Sequence, residues 1–158
     1  AVPNFIRVLA NSAAALEGFL ALYGATAGLS LDKATQERIA LTVAEGNGCD
    51  YCVSAHTAIG RHAGLSAEEM LQNRRGTSGD PRAAALVGFA RAVNDTGGDV
   101  SDADLRAARD AGLTDVQIVE VITVVALNVF TNLLGKSTRV EIDFPRVAPL
   151  GASARGAA

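Results

Sequence analysis

The stretch from Thr114 to Leu134 constrains the fold most, because its apolar residues fall on nearly every side of a helix. Val116, Ile118, Val119, Val121, Ile122, Val124, Val125, Leu127, Val129, Phe130, Leu133 and Leu134 leave little of the circumference polar. Such a helix must be buried on most sides, inside one domain or between subunits. Glu120, Asn128, Thr131 and Asn132 interrupt it. Uncompensated polar groups are expensive in hydrocarbon, so no membrane span is expected.

What packs around that helix should also be helical. No run alternates apolar and polar residues as a half-buried strand would. With 49% hydrophobic but only 4% aromatic residues and no Trp, the core has to be built from Ala, Val, Leu and Ile. Alanine at that density favours helices. Pro3 suits the first turn of a short opening helix, and Ser12 caps a run containing Leu16, Leu20 and Tyr23 that Gly28 ends. A helix from about Asp32 stops at Gly46-Asn47-Gly48, and the next begins near Cys49 and stops at Gly64. Ser66 with Glu69 reads as a capping box, as does Thr114 with Gln117. Asp80-Pro81 is an N-cap followed by a first-turn proline, and Ser101 caps a further helix. The expectation is an all-α single domain of about seven helices over residues 1–145, followed by an irregular tail, 146–158. Asn11, Ser12 and Glu17 interrupt the apolar stretch from Phe5 to Ala27 at helical intervals, so it reads as part of the fold rather than as a signal peptide.

A net charge of -3 with scattered Lys and Arg residues gives no basic stripe, so neither nucleic acid nor an anionic membrane surface is an expected partner. Two cysteines spaced C-x-x-C are too few for a secreted disulfide scaffold. In an intracellular, cytoplasmic protein that spacing points to redox or metal chemistry.

Both cysteines and both histidines lie between Glu37 and Gly64. With Cys49 at a helix start, Cys52 falls in the first turn, where free N–H groups and the helix dipole favour a thiolate. His56 lies one turn further along the same face and can exchange a proton with that sulfur. His62 projects to a different side and is given no role. A thiolate beside a second thiol can attack a peroxide oxygen, become a sulfenic acid and condense to a disulfide; the pair could also exchange with an outside dithiol. Glu37, Glu45 and Asp50 are the carboxylates that could complete a proton relay, and spacing does not choose among them. Helix-end electrostatics alone favour Cys49 as the nucleophile. Competing readings are inert buried cysteines, a thiol sensor, or a zinc site of Cys49, Cys52 and His56 that lacks a fourth ligand. Val53 stands where a c-type haem motif demands histidine. Tyr51 reads as a packing aromatic. Asn128 and Asn132 could line a pocket or be satisfied inside a subunit interface.

Glu37-Arg38, the twelve-residue step from Glu37 to Cys49, the run Asn47-Gly48-Cys49-Asp50-Tyr51-Cys52, and His56 together resemble the core motif of the AhpD-like alkylhydroperoxidases, within the carboxymuconolactone decarboxylase superfamily. The similarity extends through about Pro145. The final helix with Asn128 and Asn132, followed by Asp143-Phe144-Pro145, resembles the peroxidase-related subgroup. This resemblance implies an all-helical oligomer that reduces hydroperoxides without a cofactor or metal. It makes Cys52 the peroxidatic sulfur, Cys49 the resolving one, and His56 and Glu37 the proton relay. It also implies a dithiol reductant such as a dihydrolipoyl-bearing protein. The chain departs from the pattern at Tyr51, where the best-characterised members carry a histidine, so the relay is one member short. The wider superfamily implies an alternative, a cofactor-free decarboxylase or lactone-processing enzyme, whose members usually lack this cysteine pair. A homo-oligomer is also what the all-round apolar final helix calls for, with no symmetry specified.

Overall fold

The structure is a computed structural model that describes residues 2–151. Among these residues lie eight α-helices, a short 3-10 turn and no strand, which makes the chain all-α with one helix more than the expected count of about seven. In order they are α1 (Asn4–Leu9), α2 (Ala13–Ala25), α3 (Lys33–Gly46), α4 (Asp50–His62), α5 (Ala67–Arg74), α6 (Pro81–Thr96), α7 (Asp102–Asp110) and α8 (Asp115–Ser137). Of the expected tail, residues 146–151 are described and form no helix; 152–158 lie outside the described residues.

Helix α3 is the hub, packed against α4, α5, α6 and α8. Its Asp32 N-cap accepts from Thr35 N–H, and it is fully buried on two sides, through Ile39 and Val43 on one and Leu41 on the other. Truncating Leu41 to Ala would therefore cost about 2–5 kcal/mol. The largest cluster joins α3 to α6 and α8 through Ile39, Val43, Val87, Phe89, Val121 and Val125. A second cluster surrounds the start of α4: Cys49, Tyr51, Cys52 and Val53 pack against Phe5 and Leu9 of α1, and against Val140, Phe144 and Val147 of the C-terminal segment. Both ends of the described chain thus close over the cysteine-bearing turn. Val147 N–H donates to Ser54 Oγ at 3.1 Å, and Leu150 N–H to Glu45 Oε1 at 2.8 Å.

The sequence signals for helix ends correspond closely to what forms. Thr114–Gln117 is a complete capping box, and so is Ser101–Asp104. Ser66–Glu69 is only half of one. Ser66 Oγ accepts from Glu69 N–H, but the Glu69 carboxylate turns away to Arg38 Nε at 2.8 Å, Ser78 Oγ at 2.6 Å and Asn73 Nδ2 at 3.1 Å. A partly buried guanidinium and two further donors outcompete one backbone N–H for that carboxylate.

Helix α8 is long and apolar enough to cross a membrane by length and composition alone. Here one face forms a wall of the core. Its Glu120 carboxylate accepts from Ser30 N–H, Ser30 Oγ–H and Leu31 N–H. The opposite face, Val116, Val119, Ile122, Phe130 and Leu133, is 40–63% exposed, and α2 alongside it buries no residue at all.

Candidate active site

The turn between α3 and α4 brings the chemistry together. Gly48 takes φ +62°, the left-handed region that glycine enters without penalty, and the chain reverses into α4. Cys49 becomes the N-cap of α4, and its Sγ accepts from Cys52 N–H at 3.3 Å. The two sulfurs are joined as a disulfide across 5.2 Å between Cα atoms. Asp50 is exposed in the first turn.

Because α3 and α4 run back to back from this turn, the second turn of α3 faces the second turn of α4. Glu37 Oε2 lies 2.7 Å from His56 Nδ1, and Glu37 Oε1 lies 2.7 Å from Lys33 Nζ. Glu37 is 2% exposed. Burial opposes its ionisation, but the charge and hydrogen bond of His56 and the bond from Lys33 outweigh it and hold its pKa below the ordinary carboxylate value. An ionised carboxylate can only accept, so Nδ1 of His56 carries the hydrogen. That leaves Nε2 as the nitrogen able to exchange a proton. Burial works against the Lys33 charge too, yet the pairing with Glu37 raises its pKa overall.

Of the three carboxylates that spacing left open, only Glu37 reaches His56. Glu45 is committed to Arg74 Nε at 2.7 Å and to the tail, and Asp50 points to the surface. His62 is exposed at the far end of α4.

Cys52, His56 and Glu37 share a cavity of about 310 Å³. Its walls are mostly apolar: Phe5 and Ile6 from α1, Phe19, Leu20 and Tyr23 from α2, Ile59 from α4, Val124 and Leu127 from α8, and Phe144. Tyr51 contributes a ring stacked on Phe5 and edge-on to Phe144. Its hydroxyl accepts from Phe5 N–H at 3.3 Å, and burial pushes the phenol up to about 12. It remains a neutral packing aromatic and cannot replace a titrating histidine. Asn128 also lines the cavity, with its Nδ2 donating to Val124 O. Asn132 does not. It lies behind the turn, where its Oδ1 accepts from Asn47 Nδ2 at 2.9 Å, so it braces the loop that carries Cys49. Lys33 and the aromatic rings from α1, α2 and Phe144 are lining residues that the sequence reading did not single out.

The family assignment rests on a match between residues 13–92 and the carboxymuconolactone decarboxylase family model, a span that includes the whole Glu37-to-His56 constellation. The chain belongs to the carboxymuconolactone decarboxylase family. No curated protein matches it. Among solved structures, it superimposes on a peroxidase-related protein of Ralstonia eutropha JMP134, described as an alkylhydroperoxidase AhpD core, with a TM-score of 0.82 and 26% identity over 90% of this chain and 77% of that one. A peroxidase-related protein of Silicibacter sp. TM1040 gives 0.81 and 26% over 89% and 76%. A debrominase solved with 2,3,4-tribromopyrrole gives 0.80 at 16% identity over 90% and 78%, which shows the shared fold alone. This carboxymuconolactone decarboxylase family member therefore has relatives of AhpD type and the fold of proteins with other chemistry.

Proposed function

We propose that the chain is an AhpD-type, thiol-dependent peroxidase that reduces organic hydroperoxides in the cytoplasm. The observation that carries this reading is one cavity that holds a cysteine of a C-x-x-C disulfide together with a histidine whose other nitrogen is fixed by a buried carboxylate. The membership and the AhpD-type neighbours support it further.

In the reduced protein, His56 Nε2 accepts the Cys52 thiol proton, and the α4 N-terminus stabilises the thiolate. The thiolate attacks one peroxide oxygen, and the O–O bond breaks. The departing alkoxide takes the proton back from His56 and leaves as an alcohol, with Cys52 oxidised to a sulfenic acid. Cys49 then attacks that sulfur, the S–S bond forms, and the hydroxyl leaves as water with the Cys49 proton. A dithiol returns two electrons and two protons to complete the cycle. Glu37 stabilises the imidazolium that forms in between, and the apolar walls suit a substrate with a hydrocarbon body. Cys52, rather than Cys49, is assigned the peroxidatic role because it shares the cavity with His56.

The test is hydroperoxide consumption with a dithiol donor. Wild-type protein should turn over, and Cys52→Ser should lose at least a hundredfold. Activity retained by Cys52→Ser would refute the proposal. A decarboxylase on this scaffold would instead release carbon dioxide from a carboxylated lactone at a rate that thiol alkylation leaves unchanged.

A further inference from the structure

Five of the seven Phe and Tyr residues in the chain, Phe5, Phe19, Tyr23, Tyr51 and Phe144, converge on the cavity that holds Cys52 and His56. The main core does without such rings: the cluster that joins α3 to α6 and α8 contains Phe89 alone. Around the cavity the rings meet at centroid distances of 5.2–6.3 Å, edge-on for Phe5 with Phe19 and for Tyr51 with Phe144, stacked for Phe19 with Tyr23 and for Phe5 with Tyr51. A wall of ring faces and edges favours a flat aromatic guest, which can take up the same offset and edge-on positions. At about 310 Å³ the cavity lies at the small end of ligand sites, so the guest is compact.

Two buried carboxamides open into this cavity with their oxygens unused. Gln36 of α3 spends both of its N–H bonds, since Nε2 donates to Thr26 O at 3.1 Å and to Leu31 O at 2.8 Å. Those two carbonyls fix which end of the amide is nitrogen. Asn128 of α8 is 4% exposed, and its Nδ2 donates to Val124 O at 2.8 Å. Neither Gln36 Oε1 nor Asn128 Oδ1 accepts a hydrogen bond among the described residues. Nor are these oxygens sealed in protein, because the fully buried side-chain atoms left without a partner there are Asn73 Oδ1 and Asn132 Nδ2. What surface the two oxygens keep is the cavity wall. A ligand that enters displaces water from such an oxygen, and the loss is made good only if the ligand brings a donor.

We propose that the cavity binds a compact aromatic molecule carrying an O–H or N–H donor, with its ring against the aromatic wall and its donor on Asn128 Oδ1, Gln36 Oε1 being the second acceptor. The hydroperoxide reduced here then carries its O–O group on such a body; that step rests on the reading of Cys52 as the peroxidatic sulfur, whereas the binding does not. Cys52 and His56 come from α4 and the two acceptors from α8 and α3, so the anchor and the reacting group are held by different helices. A site that supplies an acceptor in an apolar wall discriminates against an analogue that lacks the donor.

The test uses the resting disulfide form with no peroxide present, so ligand binding and peroxide turnover can fail separately. 2-Naphthol and 2-methoxynaphthalene are titrated by their own fluorescence; they share the rings, and the first alone carries a donor. 2-Naphthol should bind about tenfold more tightly, the worth of one hydrogen bond, although the ether is the more hydrophobic and would win on a merely apolar surface. Decahydro-2-naphthol, which keeps the hydroxyl without the aromatic rings, should compete about threefold to tenfold less well than 2-naphthol. Asn128→Leu should abolish the preference by weakening 2-naphthol while the ether binds as tightly as before, which also shows that the cavity still forms. Should the leucine variant not fold, the wild-type ratios decide alone. Wild-type protein that binds neither naphthalene, binds both equally or prefers the ether would overturn the proposal. So would a decahydro compound as effective as 2-naphthol, or an Asn128→Leu protein that keeps the preference.

Discussion

Glu37 Oε2 stands 2.7 Å from His56 Nδ1, at a carboxylate that is almost wholly buried and also paired with Lys33. The contact joins α3 to α4, fixes the imidazole in one orientation and reserves its other nitrogen for the cavity. It is the relationship on which the proposed proton relay depends.

Replacing Glu37 by Gln keeps the shape and removes the charge. The amide can still accept from Nδ1–H, but it no longer stabilises an imidazolium. Peroxide turnover should fall by roughly tenfold to a hundredfold, within the range that positioned acid–base groups contribute. Steady-state kinetics on Glu37→Gln check this, and an unchanged kcat/KM would remove Glu37 from the relay.

Lys33 should matter less. It is half exposed and its pair with Glu37 is screened by solvent, and His56 still faces the carboxylate when Lys33 is gone. Lys33→Met should lower turnover by about twofold to fivefold, and adding salt to wild-type protein should reproduce part of that loss. A loss as large as that of Glu37→Gln would show that Lys33 contributes directly to the chemistry.

Much of this arrangement was legible in the chain itself. The helix borders could be read because Asp32, Ser66, Asp80, Ser101 and Thr114 each accept the backbone bond that their residue types predict. His56 could be placed near Cys52 because one helical turn separates them. The choice of Glu37 over Glu45 and Asp50 required knowing that α3 and α4 fold back to back; helical periodicity within one segment does not supply that, and only the family resemblance anticipated it. Lys33 was in reach of the sequence, four residues before Glu37 on the same face. The cavity walls were not. Phe5 and Phe144 come from opposite ends of the described chain, and their meeting over Tyr51 is a tertiary event. Asn132 has the polarity of a lining residue, but its position on α8 turns it toward Asn47.

The exposed apolar stripe of α8, beside an α2 that buries nothing, calls for a second copy of the chain. Sedimentation velocity should give a dimer or larger species at micromolar concentration, and Val119→Glu with Leu133→Glu should shift it to monomer. A wild-type protein that sediments as a monomer would contradict this.

Glu69 predicts how stability responds to acid. Burial opposes its ionisation, but bonds from Ser78, Arg38, Asn73 and Gly79 hold the folded carboxyl at about 2, below the 4.5 of an unperturbed group. A depressed folded pKa means that the stabilisation is complete above about pH 4.5 and is lost as the pH falls toward 2. On the order of 2–3 kcal/mol should disappear across that window. Denaturant titrations of wild type and Glu69→Gln check it: the variant should be less stable at neutral pH, and the gap should close by pH 2.

The proposed peroxidase cycle turns on Cys52 being the sulfur that meets the peroxide. The direct measurement treats the reduced Cys49→Ser protein, in which no disulfide can form, with one equivalent of an organic hydroperoxide and traps sulfenic acid with dimedone for peptide mass spectrometry. A stoichiometric adduct on Cys52 and one equivalent of alcohol are expected. Unmodified Cys52 with the hydroperoxide intact would contradict it.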